Sequence, residues 1–386
     1  MIELSKAETL FKEFNKKYKA ELFSVGTIIH KCDRIPFSSP RANYMLYGGI
    51  PRGRITEFAG SEGSGKTTTA LDITGNAQKL FKDEWEERIT CLESKDKLTK
   101  EQTNELLDLR ERGPLKVLWV DCENTFDDEW SRTLGVDVDS LIYFGPESQS
   151  AEEIFDMTLQ LIATGEFGLV VIDSLGMMVS QQEMDRDVEE STYGGISRAL
   201  TKFSKKAQDI CAKTNCALIG INQVRDNLNA GYGGPSYVTP GGKCWKHVCS
   251  VRLMFSQGTP FDENFKDVKK SYENPFGHRV VISVAKTKIC NPDRKTGFYT
   301  LTYTKGIESF LDVIDIALNK DVIHQSGAWF TFINPETGEI VSRTDEDGNT
   351  TDIKVQGQAS LSPFLNKEEN KDIKDMILAF VEKSIS

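Results

Sequence analysis

Gly60 to Thr67 read GSEGSGKT, the spacing in which a glycine, four further residues and a second glycine precede a lysine and a hydroxyl side chain. Phosphate chemistry asks for this arrangement. The N–H groups of a tight glycine turn, continued by the N-terminus of a helix, all point toward anionic oxygens. Lys66 then reaches the outer phosphates, and the Thr67 hydroxyl is a ligand for Mg²⁺. Gly60, Ser61, Glu62, Gly63, Ser64, Gly65, Lys66, Thr67 and Thr68 are the expected nucleotide contacts. The alternative is an ordinary glycine turn, which the strand pattern before the motif and the helical pattern after it disfavour.

Three other strand ends carry polar residues. In LVVIDS, Asp173 closes an apolar run, where a carboxylate beside a phosphate loop holds Mg²⁺. In WVDCENTFDDEW, the acids Asp121, Glu123, Asp127, Asp128 and Glu129 follow a buried strand. Most of these must be solvated or turn-forming, and Glu123 is best placed to deprotonate water as a general base. In LIGINQ, Gln223 stands at the same edge. Its amide either hydrogen-bonds a terminal phosphate or caps the loop that follows, and position alone does not decide between them.

These residues need a sheet to align them. The runs ITEFA, KVLWVD, LIYFG, GLVVID, CALIGIN and SVRLMF alternate with segments of helical periodicity. Near-continuous Val, Ile and Leu predicts strands buried on both faces of a mostly parallel α/β sheet. HRVVISVAKTKI and FYTLTYT read as an antiparallel pair closing it. A helix is expected from about Gly65 to Phe81. The charged stretch that follows, 82–116, reads as a largely helical surface hairpin inserted before the next strand, with Gly113-Pro114 as its stop. Leu4, Ala7, Phe11, Phe14 and Tyr18 fall at helical spacing near the N-terminus. From Glu308 onward, GAWFTFINPETGEIV predicts a hairpin and EENKDIKDMILAFVEK a final helix, a small α+β unit. The expected organisation is 1–34, an N-terminal helix and linker, then a core over 35–307 and a C-terminal domain over 308–386.

Composition bounds the function. The chain has 386 residues, 39% hydrophobic and 27% charged, an ordinary soluble balance with no apolar run able to span a membrane. The N-terminus lacks the pattern of a signal peptide. The eight cysteines form no CxxC pair and are expected to be free thiols of a cytoplasmic protein. Cys244, His247 and Cys249 lie close together, but their spacing fits no usual zinc site. Net charge is −11, against simple coating of nucleic acid. Yet Tyr193 to Arg252 holds nine Lys/Arg against two acids, around the glycine-rich stretch DNLNAGYGGPSYVTPGG. So long a loop without secondary structure is uncommon unless it is functional or disordered.

The ordered set GSEGSGKTT, VDCENTFD, LVVIDS, INQVR, TPGGK with SVRLMF, SVAKTKI, and KGI followed by GAWF resembles the RecA-type homologous recombinases, from about Met45 to Phe330. The resemblance implies a RecA-like P-loop ATPase core. It makes Glu123 the catalytic glutamate and Gln223 the sensor of the γ-phosphate, acting with Lys66 as the catalytic set. Asp127 and Trp130 match positions near the nucleotide base, and Lys286 and Lys288 a pair that reaches ATP bound on the neighbouring subunit. Arg198, in EESTYGGISRAL, matches the first DNA-binding loop and the helix after it. Arg225 matches the arginine just before the second loop, which spans Asp226 to Gly242 and includes Gly233, Gly234, Gly241 and Gly242, with Lys243 following. The N-terminal helix is similar to the segment that docks on the adjacent protomer, the alternative being packing on its own core. His247 stands where bacterial members carry an aromatic residue, and the 82–116 segment is longer than theirs. Both departures fit a divergent member from a bacterial cell or a phage-infected host.

The implied activity is an ATP-dependent recombinase that polymerises with Mg²⁺ and ATP on single-stranded DNA and exchanges strands with double-stranded DNA. Loading and single-strand-binding proteins are expected partners, and a membrane is not. The alternatives are a ring helicase of the same fold, for which an interface arginine would be expected in place of the lysine pair, and a small-molecule phosphotransferase, which would not respond to DNA.

Overall fold

Every residue of Phe167–Asp173 is buried, and alternate side chains enter two different cores. Leu169 and Val171 join Phe58, Trp119 and Ile219 on one face, while Val170 and Ile172 join Leu118, Val120 and Leu218 on the other. A period of two with both faces apolar is what a strand covered by helices on each side requires.

The computed structural model describes residues 32–185, 195–226, 237–291, 293–344 and 349–385, together with Leu10, Lys12, Glu13, Lys16 and Lys17. Its main sheet has nine strands: β1 (Ile55–Gly60), β2 (Lys116–Asp121), β3 (Ile142–Phe144), β4 (Phe167–Asp173), β5 (Ala217–Gln223), β6 (Val251–Phe261), β7 (Gly277–Thr287), β8 (Thr296–Thr302) and β9 (Gly306–Ile307). In space they run β9-β8-β7-β6-β1-β5-β4-β2-β3. β6 through β3 pair in parallel, whereas β7, β8 and β9 add antiparallel. The antiparallel closing pair expected from the sequence is therefore present, and the fold is the α/β architecture anticipated.

β3 departs from the expected pattern. It is three residues long at the sheet edge, with Ile142 and Tyr143 exposed, because only β2 covers it. A short helix, α1 (Pro40–Met45), precedes β1, and the helix after the phosphate loop, α2 (Lys66–Glu93), runs beyond its predicted end at Phe81. No glycine or proline interrupts KDEWEERITCLE, and α3 (Lys100–Arg112) folds back beside it. Trp85 Nε1 donates to the Leu109 carbonyl at 2.7 Å, and Arg88–Glu105 and Arg110–Glu93 bridge the two helices. Thr99 and Gln102 form the capping box that starts α3.

Helix α4 (Asp128–Thr133) follows β2. On the far face lie α5 (Ala151–Ala163) and α6 (Gly195–Thr214), where Phe155 stacks on Phe203 at 4.3 Å. A short helix, α7 (Gly242–Val248), precedes β6. Beyond β9, helices over Ser309–Asn319 and Lys371–Ile385 enclose a three-stranded sheet and a third core containing Ile323, Phe330, Phe332 and Ile377. The strand Trp329–Phe332 pairs with Ile323–Ser326 and Lys354–Gln356, while the expected GAWFTFINPETGEIV hairpin is reduced to an Ile333–Ile340 bridge. Both edges of Trp329–Phe332 are taken by those two strands, so the residues after the turn have no free edge to extend the ladder.

Met1–Asp33 forms a unit apart from Arg34–Ser386. Of its described residues, Leu10, Lys12, Glu13, Lys16 and Lys17 are helical and Cys32 and Asp33 are not, while the apolar positions Leu4, Ala7, Phe11, Phe14 and Tyr18 lie outside the described residues. Among the described residues, no helix is long and apolar enough to cross a membrane.

Candidate nucleotide site and the loop that leaves it

Register sets the site. Gly60 lies opposite Gln223 across β1 and β5, and Asp121 opposite Asp173 across β2 and β4. The phosphate-loop strand and three polar strand ends thus share one edge of the parallel sheet, the place where open α/β sheets bind ligands.

The phosphate loop is built for close approach. A Cβ on Gly60 would sit 2.5 Å from the Phe255 carbonyl oxygen, and Gly65 has φ +92° with a Cβ position 2.8 Å from Val280. Gly65 caps α2, whose first turn contains no acid, so its free N–H groups face an anion-friendly end. Lys66 is buried, and its Nζ donates to the Ser61 carbonyl at 2.7 Å and to Ser64 Oγ at 3.5 Å. Burial lowers its pKa, opposed by Asp173, Glu123 and Glu62. Ser61, Glu62 and Gly63 are exposed, and Thr67 and Thr68 half-buried. Gly65→Ala adds strain worth about 1–2 kcal/mol for a left-handed residue as well as the Val280 contact. It is expected to weaken binding of a fluorescent ATP analogue about tenfold or more. An unchanged titration would mean that the loop adapts.

Thr67 Oγ1 donates to Asp173 Oδ2 at 2.8 Å. Burial pushes the Asp173 carboxyl up to about 7, relieved by the Thr67 hydrogen bond and raised further by Glu123 and Asp121. A hydroxyl and a carboxylate side by side form an all-oxygen set suited to a hard divalent cation such as Mg²⁺. Both predicted metal residues therefore fit that ion. No group of three or more His, Cys, Asp or Glu able to hold a metal occurs among the described residues, and none of the eight cysteines, all described, is joined in a disulfide.

Glu123 sits in the turn after β2. Asp121, buried, organises this turn by accepting the backbone N–H groups of Glu123, Thr125 and Phe126 and the Tyr143 hydroxyl. Glu123 Oε1 accepts from Ser174 Oγ at 2.5 Å and from Gln223 Nε2 at 3.3 Å. Gln223 thus touches the candidate base directly. Asp121 is one of the five acids expected to be mostly solvated or turn-forming, and it is a turn-former here; the sequence does not single out Ser174. The signal for Asp121 was a carboxylate ending an apolar strand, and for Ser174 its place beside Asp173.

Other predicted residues lie apart from this cluster. Asp127 caps α4 through Trp130 N–H at 2.8 Å, and the Trp130 ring packs on the core. Lys286 and Lys288 both donate to the His247 carbonyl, at 2.9 and 2.6 Å, and Lys286 also to that of Lys246. Within this chain they cap the end of α7. Burial, then Lys288, lowers the Lys286 pKa. Arg198, Arg225, Gly242 and Lys243 are exposed, and Gly241 is buried. Arg225–Asp226 pairs with Tyr237–Val238, closing the base of the second loop. Gly233, Gly234 and most of the first loop lie outside the described residues.

A phosphate loop between a parallel strand and its helix, with acidic and amide groups on the adjoining strand ends, defines a P-loop nucleotide-binding protein. The RecA N-terminal domain family matches residues 10–83 and 89–308. A protein called Protein RecA from Fusobacterium nucleatum subsp. nucleatum is 31% identical over 348 residues, covering 89% of this chain and 77% of its own. Proteins of the same name from Chlorobaculum tepidum and Aquifex pyrophilus are 31% and 30% identical, covering 86% and 85% of this chain and 83% and 81% of theirs. The chain belongs to the RecA family, as its ordered motifs led us to expect, and its function lies in ATP-dependent DNA recombination and repair.

Proposed function

We propose that the chain is a DNA-dependent ATPase that assembles into a helical filament on single-stranded DNA, with ATP at Gly60–Thr68, and exchanges strands with duplex DNA. The observation that supports this reading best is the Glu123–Gln223 contact at 3.3 Å. One residue is suited to activate water, the other ends the strand that leads into a glycine-rich loop. Mg²⁺ held by Thr67 and Asp173 would neutralise phosphate charge. Glu123 takes the proton of the attacking water, and the Gln223 amide is free to turn from the carboxylate toward a terminal phosphate. Lys286 and Lys288 face another subunit's nucleotide in an assembled filament, where its anionic oxygens compete with the α7 carbonyls for their ammonium groups. Arg198, Arg225 and Lys243 hold the phosphodiester backbone without reading bases, as a search for homology needs. In this reading 35–307 is the ATPase core, flanked by 1–34 and 308–386. The protein would work in the cytoplasm.

Electron microscopy with single-stranded DNA, with and without ATP, tests the assembly, and the ATPase rate with and without that DNA tests the coupling. Nucleotide-dependent filaments and a DNA-stimulated rate are expected. A rate indifferent to DNA would favour a small-molecule phosphotransferase. Fork unwinding without joint molecules would favour a ring helicase.

A further inference from the structure

A fully buried carboxylate lies beneath the phosphate loop, outside the groups that would meet nucleotide. Glu57 is the third residue of β1, between Thr56 and Phe58. It accepts from Asn222 Nδ2 on β5 at 3.0 Å and from Arg252 Nε on β6. Each partner has a second contact. Asn222 Nδ2 also donates to the Pro240 carbonyl at 3.0 Å, and Arg252 Nη2 reaches Thr239 Oγ1 at 3.4 Å. Thr239 and Pro240 join the closing strand of the second loop to Gly241 and α7. One side chain therefore connects the strand feeding the phosphate loop to both neighbouring strands and to the C-terminal root of the loop.

Well-packed apolar residues in such a place are often as stable as a buried ion pair or more so, so stability alone gives little reason for this one. Asn222 adds a second sign. It is fully buried, yet its Oδ1 has no partner, so this arrangement does not satisfy its own side chain. The residue next to it is Gln223.

We propose that Glu57, Asn222 and Arg252 are positioning residues that carry the state of the phosphate site to the root of the second loop. The carboxylate makes β1, the end of β5 and Thr239–Pro240 one block. When Gln223 turns toward a bound triphosphate, the movement is passed through Asn222 to Pro240 instead of being absorbed at the strand end. This inference rests on the proposed function.

The test measures affinity for a fluorescent oligothymidylate with and without a non-hydrolysable ATP analogue and Mg²⁺. In the unsubstituted protein the analogue is expected to raise DNA affinity about tenfold or more, within the usual span of couplings between sites. Asn222→Ala removes both amide hydrogen bonds, and Glu57→Gln keeps the shape and removes the charge. Both are expected to bind the analogue within about threefold of the original affinity, while the ratio of DNA affinities falls toward one. The proposal is overturned if the variants melt earlier yet keep the original ratio, if they lose analogue binding itself, or if they fail to fold, since each outcome gives the network a purely local role. A ratio of one in the unsubstituted protein would instead remove the proposed function, and this coupling with it.

Discussion

Lys66→Ala is expected to abolish ATP hydrolysis and ATP-dependent filament assembly together. The Lys66 amine is largely withdrawn from water and rests on the Ser61 carbonyl at 2.7 Å. Burial disfavours its charge, and the nearby carboxylates of Asp173, Glu123 and Glu62 only partly offset that. A triphosphate supplies the missing negative charge at short range, so the group gains most when nucleotide is bound. A hydrogen bond to a charged group contributes about 1.5–3 kcal/mol, which makes the loss in affinity roughly 10- to 150-fold. The loss in rate should be larger, because the same ammonium opposes charge that develops during phosphoryl transfer. Alanine also leaves Ser61, Ser64 and the α2 N-terminus in place, so the fold should survive. Equilibrium titration with an ATP analogue and microscopy on single-stranded DNA check both parts. Ordered filaments with an unaltered response to ATP would remove Lys66 from phosphate contact.

Local signals carried much of the fold. The phosphate loop is a single segment, and its glycines meet their constraints at Phe255 and Val280, residues far away in sequence that a motif never names. Apolar runs located the parallel strands, but they did not distinguish the edge strand β3, because exposure depends on how many neighbours a strand has. The end of α2 was missed for a similar reason. Trp85 and Arg88 find their partners on α3, and helical propensity alone shows no stop before Glu93. At the site, Gln223 was left between two roles by its position. Its contact with Glu123 spans one hundred residues and comes from sheet order, which leaves only β4 between β5 and the β2 strand that precedes Glu123. The Glu57 network was silent for the same cause. An acid inside ITEFA was its only local trace, and its partners arrive from β5 and β6. Lys286 and Lys288 were read from a resemblance, and in this chain they hold α7 carbonyls, a contact no linear pattern suggests.

Glu123→Gln is expected to lower the hydrolysis rate by about 10²- to 10⁴-fold while nucleotide binding persists. Glutamine has nearly the same shape, and Asp121 fixes the turn through the N–H groups of Glu123, Thr125 and Phe126, so the side chain should keep its place. What disappears is the ability to take a proton from water. The substitution also changes the neighbourhood in a definite way. Ser174 Oγ can still donate to the amide oxygen, whereas the Gln223 amide now meets a neutral acceptor in place of a carboxylate. Hydrogen bonds to charged groups are the stronger ones, so Gln223 should leave this partner more readily for a terminal phosphate. Filaments formed with ATP should then outlast those of the unsubstituted protein, because the step that discharges the nucleotide is blocked and the sensing amide is released. Single-turnover hydrolysis and the lifetime of filaments after dilution measure the two effects separately. A rate near that of the unsubstituted protein would make Glu123 a turn residue like Asp121, and slow hydrolysis with short-lived filaments would detach Gln223 from the control of assembly.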